Sequence, residues 1–175
     1  MDEALWDVAQ QCIARLGWED CVIYLLDRKR QVLVQKAAWG LKSSPDQKIV
    51  SPVDIPVGQG IVGTVARTGQ AELVADTAAD PRNIVDNAPR ASELAVPILM
   101  AGQVIGVIDS EHSEKGFYTS WHLQLLTAIA SLLRKMLQIP EYCFYGAQIL
   151  HTNSHIGHIN QIGHFNFSSP AFSDF

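Results

Sequence analysis

The apolar positions of the first forty residues predict a helix followed by a β-hairpin. Residues 2–16 carry apolar side chains three and four apart, which is typical of one face of an amphipathic helix. Two apolar runs then follow, at residues 21–26 and 32–39, and the polar stretch 27–31 separates them. Runs of this length on either side of a polar turn predict two adjacent antiparallel strands.

The middle of the chain alternates short apolar runs with glycine and proline. Residues 49–56 contain two prolines, so they predict no more than a short edge strand. Residues 61–68 predict a short helix that begins after a glycine-rich turn and ends at a glycine. Residues 71–75 predict another short strand. The polar residues 76–91 form a long loop with at most one helical turn, and a loop of this length is usually functional or mobile.

Residues 92–112 predict a second hairpin, with apolar strands at 94–100 and 104–108 and a turn at 101–103. Polar side chains lie at the outer end of each strand. These are Ser92 and Glu93 before the first strand, and Asp109, Ser110, Glu111 and His112 after the second. Because the two outer ends of an antiparallel hairpin lie side by side, we expect these six residues to be neighbours. The loop 76–91 leads into this end and is predicted to cover it as a lid.

The last predicted element is a helix from Thr119 or Ser120 to about Gln138, with apolar residues on more than one face. Such a helix can pack on the sheet and also on a second helix. Residues 139–175 differ in composition and are rich in histidine, asparagine and serine. Four histidines lie there, but they lack the cysteine or acidic partners of a metal site, so we predict no metal. The tail is predicted to be a poorly ordered or loosely attached extension of a domain over residues 1–138.

The composition narrows the class of protein. The 175 residues have a net charge of −5, which argues against a general nucleic-acid surface. No apolar run approaches the length of a membrane-spanning helix. Three irregularly spaced cysteines argue against a disulfide framework and favour a reducing compartment. We therefore predict a cytoplasmic domain without nucleic-acid or membrane partners.

The candidate chemistry lies at the charged end of the second hairpin. Glu93 with Asp109 or Glu111 forms either two solvated acids at a hairpin end or a carboxylate pair with a raised pKa that binds a ligand. The sequence leaves both interpretations open. Residues 58–63 match the G-x-G-x-x-G pattern of dinucleotide sites but lack the βαβ context, so a simple glycine turn is favoured.

The order of these elements, together with several local motifs, resembles the GAF domain, most closely the GAF modules of bacterial sensor histidine kinases and related signalling proteins. The segments that carry the resemblance are IPVGQGIVGTVARTGQ (55–70), VADTAADPR (74–82), SELAVPI (92–98), GQVIGVIDSEH (102–112) and GFYTSWHLQLLTAIASL (116–132). The resemblance implies an α+β fold with a PAS-like central antiparallel sheet of about six strands. The terminal helices would lie on one face, and the short helix and long loop would cover a pocket on the other.

The resemblance also implies several alternative functions. Members that bind cyclic nucleotides or bilins carry motifs or pocket cysteines that this chain lacks between Cys21 and Cys143. The free methionine-(R)-sulfoxide reductases resemble the hairpin more closely, since they hold their substrate with acids at the positions of Glu93 and Asp109. Their chemistry requires cysteine thiolates, however, and this argues against catalysis by this chain.

The sequence therefore predicts a non-catalytic sensory or regulatory GAF module of two-component signalling, without a cofactor. A small polar molecule would bind in the pocket and alter the packing of the terminal helices in a homodimer, and a separate output partner would read that change. The predicted ligand-binding residues are Glu93, Asp109, Ser92, Asp76, Glu111, His112, Trp39 and Phe117. The alternatives are a purely structural dimerisation module and a reductase of the kind just described.

Overall fold

The computed structural model describes residues 2–84 and 90–137. The predicted extension, residues 139–175, lies outside the described residues. The helices and strands are α1 (Asp2–Asp7), which continues as π-helical turns (Val8–Ile13) and a 3-10 turn (Ala14–Leu16), then β1 (Cys21–Asp27), β2 (Val32–Trp39), β3 (Asp54–Pro56), α2 (Gly60–Thr68), β4 (Glu72–Val74), β5 (Ser92–Met100), β6 (Gln103–His112) and α3 (Ser120–Leu137). Single 3-10 turns lie at Gly40–Lys42 and Thr77–Ala79.

The six strands form one antiparallel sheet in the order β3-β2-β1-β6-β5-β4. β1 and β6 lie at its centre, and most of their apolar residues are buried, whereas Leu25, Leu26, Val104 and Ile105 are only partly buried. The short strands β3 and β4 lie at the edges, where the prolines of residues 52 and 56 interrupt less of the ladder. The predicted α+β fold with a six-stranded antiparallel sheet is confirmed.

Helices cover the sheet from both faces. The short helix α2 buries Ile61, Val62 and Val65 and contacts β5 and β6. On the other face, α3 packs along β5 through Leu126, Ile129 and Leu133. α1 and the turns that continue it contact β2 and β1. This leaves the space between α2 and the sheet for a pocket.

The outer side of α3 remains exposed. Trp121 and Leu132 on this helix are each 60% exposed. They agree with the expectation that the apolar residues of this helix cover more than one face. The homodimer through the terminal helices stays a prediction.

The second hairpin is longer than its apolar runs suggest. β5 begins at Ser92 and β6 extends to His112, so the polar residues lie within the ladder. Ser92 pairs with His112, and Glu93 pairs with Glu111. The prediction that these residues are neighbours is confirmed, whereas their placement beyond the strand ends is wrong. Strand pairing continues through them because β4 and β1 flank the hairpin and extend the sheet.

Candidate functional site

Three carboxyl side chains of the second hairpin lie on one face of the sheet. Glu93 pairs with Glu111, and Ala95 pairs with Asp109, so the alternation of a strand directs the three acids to the same side. Only 4% of Glu93, 3% of Asp109 and 7% of Glu111 is exposed. The interpretation of these acids as solvated hairpin ends is therefore wrong, since three carboxyl groups are buried together.

These acids form one side of a pocket between the sheet and α2. The cavity itself has a volume of about 30 Å3, and gaps between protein atoms that include open solvent bring the empty space around it to about 380 Å3. The other lining residues are Tyr24, Lys42, Val53, Ile55, Gly60, Ile61, Val62 and Ile84. Apart from Tyr24, Lys42 and Gly60 they are aliphatic. The pocket thus has an acidic side and an apolar side, an arrangement typical of sites that orient a small molecule by a few polar groups.

Lys42 enters the acidic side from the 3-10 turn after β2. Its Nζ donates a 2.6 Å hydrogen bond to Oε2 of Glu111, and both side chains are buried. The turn depends on Gly40, whose φ is +80° and whose added Cβ would lie 2.1 Å from the backbone oxygen of Glu19. Burial disfavours the Lys42 ammonium, but the carboxylates of Glu111 and Asp109 outweigh it and raise the pKa of Lys42. Lys42 and Glu111 are therefore a charged pair.

Glu93 and Asp109 remain after this pairing and share a side-chain hydrogen bond. Burial and the nearby Glu111 carboxylate raise the pKa of Glu93 to about 8. Burial and the charges of Glu93 and Glu111 also raise the pKa of Asp109. Among the described residues, Oδ1 of Asp109 is a buried atom without a hydrogen-bond partner. The two carboxyl groups therefore hold a proton at neutral pH and have capacity to bind a further donor.

A second layer of charge connects the pocket to the lid. Oδ1 of Asp20 accepts a 2.9 Å hydrogen bond from the backbone N–H of Glu111. Arg90, at the end of the loop, contacts Oδ2 of Asp20 at 3.0 Å and Oε2 of Glu19 at 2.7 Å. Burial raises the pKa of Asp20 despite the nearby cations of Lys42 and Arg90. These contacts fix the end of the loop next to the carboxyl cluster.

The other predicted ligand-binding residues lie away from the pocket. Ser92 donates to the backbone oxygen of Glu114, and Trp39 donates through its indole to the backbone oxygen of Trp18. Asp76 accepts from the backbone N–H of Ala78 and forms an ion pair with Lys115.

His112 and Phe117 form a stack outside the pocket, with ring centroids 3.6 Å apart. Ser92 directly precedes the pocket-facing Glu93, and His112 directly follows the pocket-facing Glu111. Strand alternation therefore directs Ser92 and His112 to the opposite face. The sequence grouped them with the acids by proximity, and the structure separates them by face.

The predicted site residues include none of the aliphatic residues of the pocket and neither of two polar ones, Lys42 and Tyr24. Lys42 follows the predicted strand in a loop that offered no pattern, and its partner Glu111 is 69 residues away. Tyr24 lies within an apolar strand, and its hydroxyl accepts a 3.2 Å hydrogen bond from Gln35. A charged residue two positions after a Trp-Gly pair was the available signal for Lys42.

Among residues 2–84 and 90–137, no group of three or more histidine, cysteine or acidic side chains has the arrangement of a metal site. In the same residues, no helix is long and apolar enough to cross a bilayer.

Comparisons with known proteins agree with this geometry. A family model described as the GAF domain matches residues 1–138. Protein YtsP of Bacillus subtilis is 33% identical over 93 residues, which cover 53% of this chain and 57% of YtsP. The free methionine-R-sulfoxide reductase of Escherichia coli is 30% identical over 105 residues, which cover 60% of this chain and 64% of the reductase. The matched region thus spans less than two thirds of either relative.

A solved structure shows the same similarity. The free methionine-R-sulfoxide reductase of Neisseria meningitidis, in complex with its substrate, superimposes with a TM-score of 0.68 at 25% identity. The superposition covers 77% of this chain and 75% of the reductase. The prediction of a non-catalytic sensing module, and of a chain that is not an enzyme, is wrong, because relatives in both sequence and structure are reductases. The reductase alternative is the better supported of the interpretations.

Proposed function

Because this chain belongs to the GAF domain family, we propose that it acts as an enzyme of the free methionine-R-sulfoxide reductase class, with the acidic pocket as its substrate site. The observation that supports this most strongly is the buried pair of Glu93 and Asp109. One lysine does not neutralise these two buried carboxyl groups. Their burial therefore lowers the stability of the fold. Their burial is explained by a function in binding and proton transfer.

The charges of the pocket favour a cationic amine. Glu111 is already paired with Lys42, so the Glu93 and Asp109 pair provides the remaining negative charge. An ammonium group placed against this pair would supply the missing cation and donate to Oδ1 of Asp109. A free amino acid has that ammonium, whereas a methionine within a peptide has a neutral amide instead. The pocket therefore favours the free amino acid.

The apolar side of the pocket suits the rest of the substrate. Ile61 and Val62 are 3% and 5% exposed, and they line the same pocket as the carboxyl groups. A thioether side chain buries its methyl and methylene groups well against such aliphatic residues. Recognition at the two ends of the substrate, by charge and by apolar contact, would fix the sulfoxide between them.

The raised pKa values suit the chemistry of reduction. A sulfoxide oxygen departs as water, so two protons must reach it as the sulfur–oxygen bond breaks. Glu93 retains its proton up to a pH of about 8, because burial disfavours its anion. A positioned general acid of this kind contributes about 10²- to 10⁴-fold to a reaction rate. We assign this proton donation to the Glu93 and Asp109 pair.

The proposal is tested by a reduction assay with the purified full chain. The protein is incubated with free L-methionine-(R)-sulfoxide and dithiothreitol, and methionine is quantified by chromatography. We expect methionine from the free R form and little from the S form or from the N-acetylated R form. Methionine formation no faster than in a protein-free control would overturn the proposal.

A matched pair of variants separates the site from the rest of the surface. Glu93→Gln preserves the shape of the side chain and removes its titration. Asp46→Asn makes the corresponding change at an exposed carboxylate that pairs with Lys48 on the surface. We expect the first variant to lose activity and the second to retain it.

A further inference from the structure

A second cavity lies at an edge of the sheet, away from the acidic pocket. β4 pairs with β5 only over Glu93 to Ala95 among the described residues, so the outer edge of β5 is open from Pro97 onward. The cavity lies between this edge, the segment 69–71 that joins α2 to β4, and α3. Its volume is about 360 Å3, whereas the cavity beside Glu93 has about 30 Å3. Sites for small molecules have volumes of roughly 300–1,000 Å3, so this cavity is large enough for a ligand.

The walls of this cavity are mostly apolar or small. The described residues that line it are Gly69, Ala71, Pro97, Leu99, Thr127, Ala130, Ser131 and Arg134. Leu99 is 38% exposed, so part of this apolar surface is in contact with water. A ligand with an apolar chain would remove that surface from water, which is favourable in proportion to the area covered.

The hydroxyl groups in the cavity already donate within α3. Thr127 donates a 2.7 Å hydrogen bond to the backbone oxygen of Leu123, and Ser131 donates one of 3.0 Å to the backbone oxygen of Thr127. These two donors are therefore not available to an anionic group of a ligand.

Arg134 provides the charge of this cavity. Its Nε is a buried atom without a hydrogen-bond partner in the described part of the chain. Within residues 2–84 and 90–137, no ion pair joins Arg134 to an acid. A guanidinium presents its donors in a planar fork that matches the two oxygens of a carboxylate. A carboxylate at this end of the cavity would therefore supply the acceptor that the fold does not.

The open edge of β5 favours a small molecule over a peptide. A peptide that adds to a sheet depends on backbone hydrogen bonds with the edge strand. Pro97 has no N–H to donate, and proline on an edge strand disfavours the pairing of a further strand.

We infer that this cavity is a second binding site, which takes a carboxylic acid with an apolar chain of medium length. The carboxylate binds Arg134, and the chain covers Pro97, Leu99 and Ala130. The site differs in charge from the acidic pocket, and the inference does not depend on reductase activity.

The inference is tested by titration of the ¹⁵N-labelled full chain with octanoate, followed by NMR. We expect saturable shifts of the backbone amides of Gly69, Leu99 and Ser131, which line the cavity. The amides of Glu93 and Glu111 in the acidic pocket should not shift. Shifts that do not saturate, or that are confined to the acidic pocket, would overturn the inference.

Three related compounds separate charge from apolar contact. 1-Octanol lacks the carboxylate, octylamine has the opposite charge, and acetate lacks the chain. Octanoate is expected to bind about tenfold or more tightly than each of them, because hydrogen bonds between charged groups are stronger than neutral ones. Equal binding of octanoate and 1-octanol would show apolar adsorption alone and would contradict the assigned ligand class.

Two basic residues in the last turn of α3 give a matched pair of variants. Arg134 lines the cavity, whereas Lys135 is exposed outside it. Arg134→Gln is expected to weaken octanoate binding about tenfold or more, and Lys135→Gln should leave it within about twofold of the parent. Equal effects in the two variants, with the fold retained by circular dichroism, would overturn the assignment of Arg134.

A variant that fills the cavity provides an independent check. Ser131 is exposed and lines the cavity, so Ser131→Leu places a larger side chain there without a change in the core. This variant is expected to lose the octanoate shifts and to keep the parent's Tm. Unchanged binding in Ser131→Leu would place the octanoate elsewhere.

Sedimentation velocity tests a different occupant, a second copy of the chain. The sedimentation coefficient is expected to be the same with and without octanoate. Dissociation of a dimer as octanoate binds would show that the cavity is an interface between two chains, and would overturn the inference.

Discussion

The two faces of strand β6 carry buried polar residues of very different kinds. Toward α2 it presents Asp109 and Glu111, and toward α3 it presents Ser110 and His112. All four are at most 8% exposed. The residues on the α3 side have their hydrogen bonds satisfied within the fold, whereas on the pocket side Oδ1 of Asp109 has no hydrogen-bond partner among the described residues. A buried polar residue thus indicates a site only where its surroundings leave charge or hydrogen-bonding capacity unused.

The α3 face is a closed network. Ser110 donates to the backbone oxygen of Asp20 and shares a 2.7 Å hydrogen bond with the hydroxyl of Tyr118. Nδ1 of His112 accepts from the backbone N–H of Glu114, and its ring stacks on Phe117. These contacts connect the end of β6 to the start of α3. We interpret this face as structural.

The largest predicted effect lies on the pocket face. Glu93→Gln is expected to lower kcat for sulfoxide reduction by about 10²- to 10⁴-fold, because the general acid is lost. In the parent, activity should decrease as the pH rises through about 8, where Glu93 loses its proton. The loss of kcat in the variant and the decrease of the parent's activity above about pH 8 are both measured by pH–rate profiles. A variant with the parent's profile would show that another group donates the proton.

The next effect concerns the balance of charge. Lys42→Met leaves the buried Glu111 carboxylate without its cation, which should reduce the free energy of unfolding by about 3–5 kcal/mol. Lys48→Met is the control, since its ion pair with Asp46 is exposed and such pairs contribute about 0–1 kcal/mol. Urea denaturation, monitored by circular dichroism, measures the free energy of unfolding of each variant. Equal losses would contradict the description of Lys42 as a buried counter-ion.

Stability should also depend on pH through Glu93. Its pKa rises from an ordinary 4.5 to about 8 on folding, so the native state retains a proton that the unfolded state releases. The stabilisation from this proton is fully present below about pH 4.5 and is lost as the pH rises through 8. The difference in Tm between parent and Glu93→Gln should therefore change between pH 5 and pH 9. A difference that is constant with pH would contradict the raised pKa.

The smallest effect is expected on the α3 face. Tyr118→Phe removes one hydrogen bond to Ser110 and should cost about 1 kcal/mol of stability. The ring of Tyr118, which contacts Trp18 at 5.4 Å, is preserved. The kcat per folded molecule should match that of the parent in the reduction assay. A large loss of kcat would show that the two faces are not independent.

Local patterns predicted most of the fold, since each strand and helix has an apolar period of its own. The charged end of the hairpin was also predictable, because antiparallel pairing dictates that Glu93 and Asp109 approach each other. Lys42 was not predictable, because its contact with Glu111 depends on how the turn at Gly40 packs against the sheet. The burial of Glu93, Asp109 and Glu111 was not predictable either, because it depends on the same long-range packing.

The assignment of function failed for a different reason. The absence of a cysteine between residues 22 and 142 favours a sensor when it is weighed above the acids of the hairpin. The structure instead shows a charged, partly unsatisfied pocket that is costly to maintain without chemistry.

The most direct test compares two adjacent residues of β6. Asp109→Asn and Ser110→Ala are assayed for reduction of free methionine-(R)-sulfoxide, and each rate is divided by the folded fraction from thermal denaturation. The account predicts at least about a 10²-fold loss for Asp109→Asn and a rate close to that of the parent for Ser110→Ala. Equal losses in the two variants, or none in either, would contradict the division of the strand into a chemical face and a structural face.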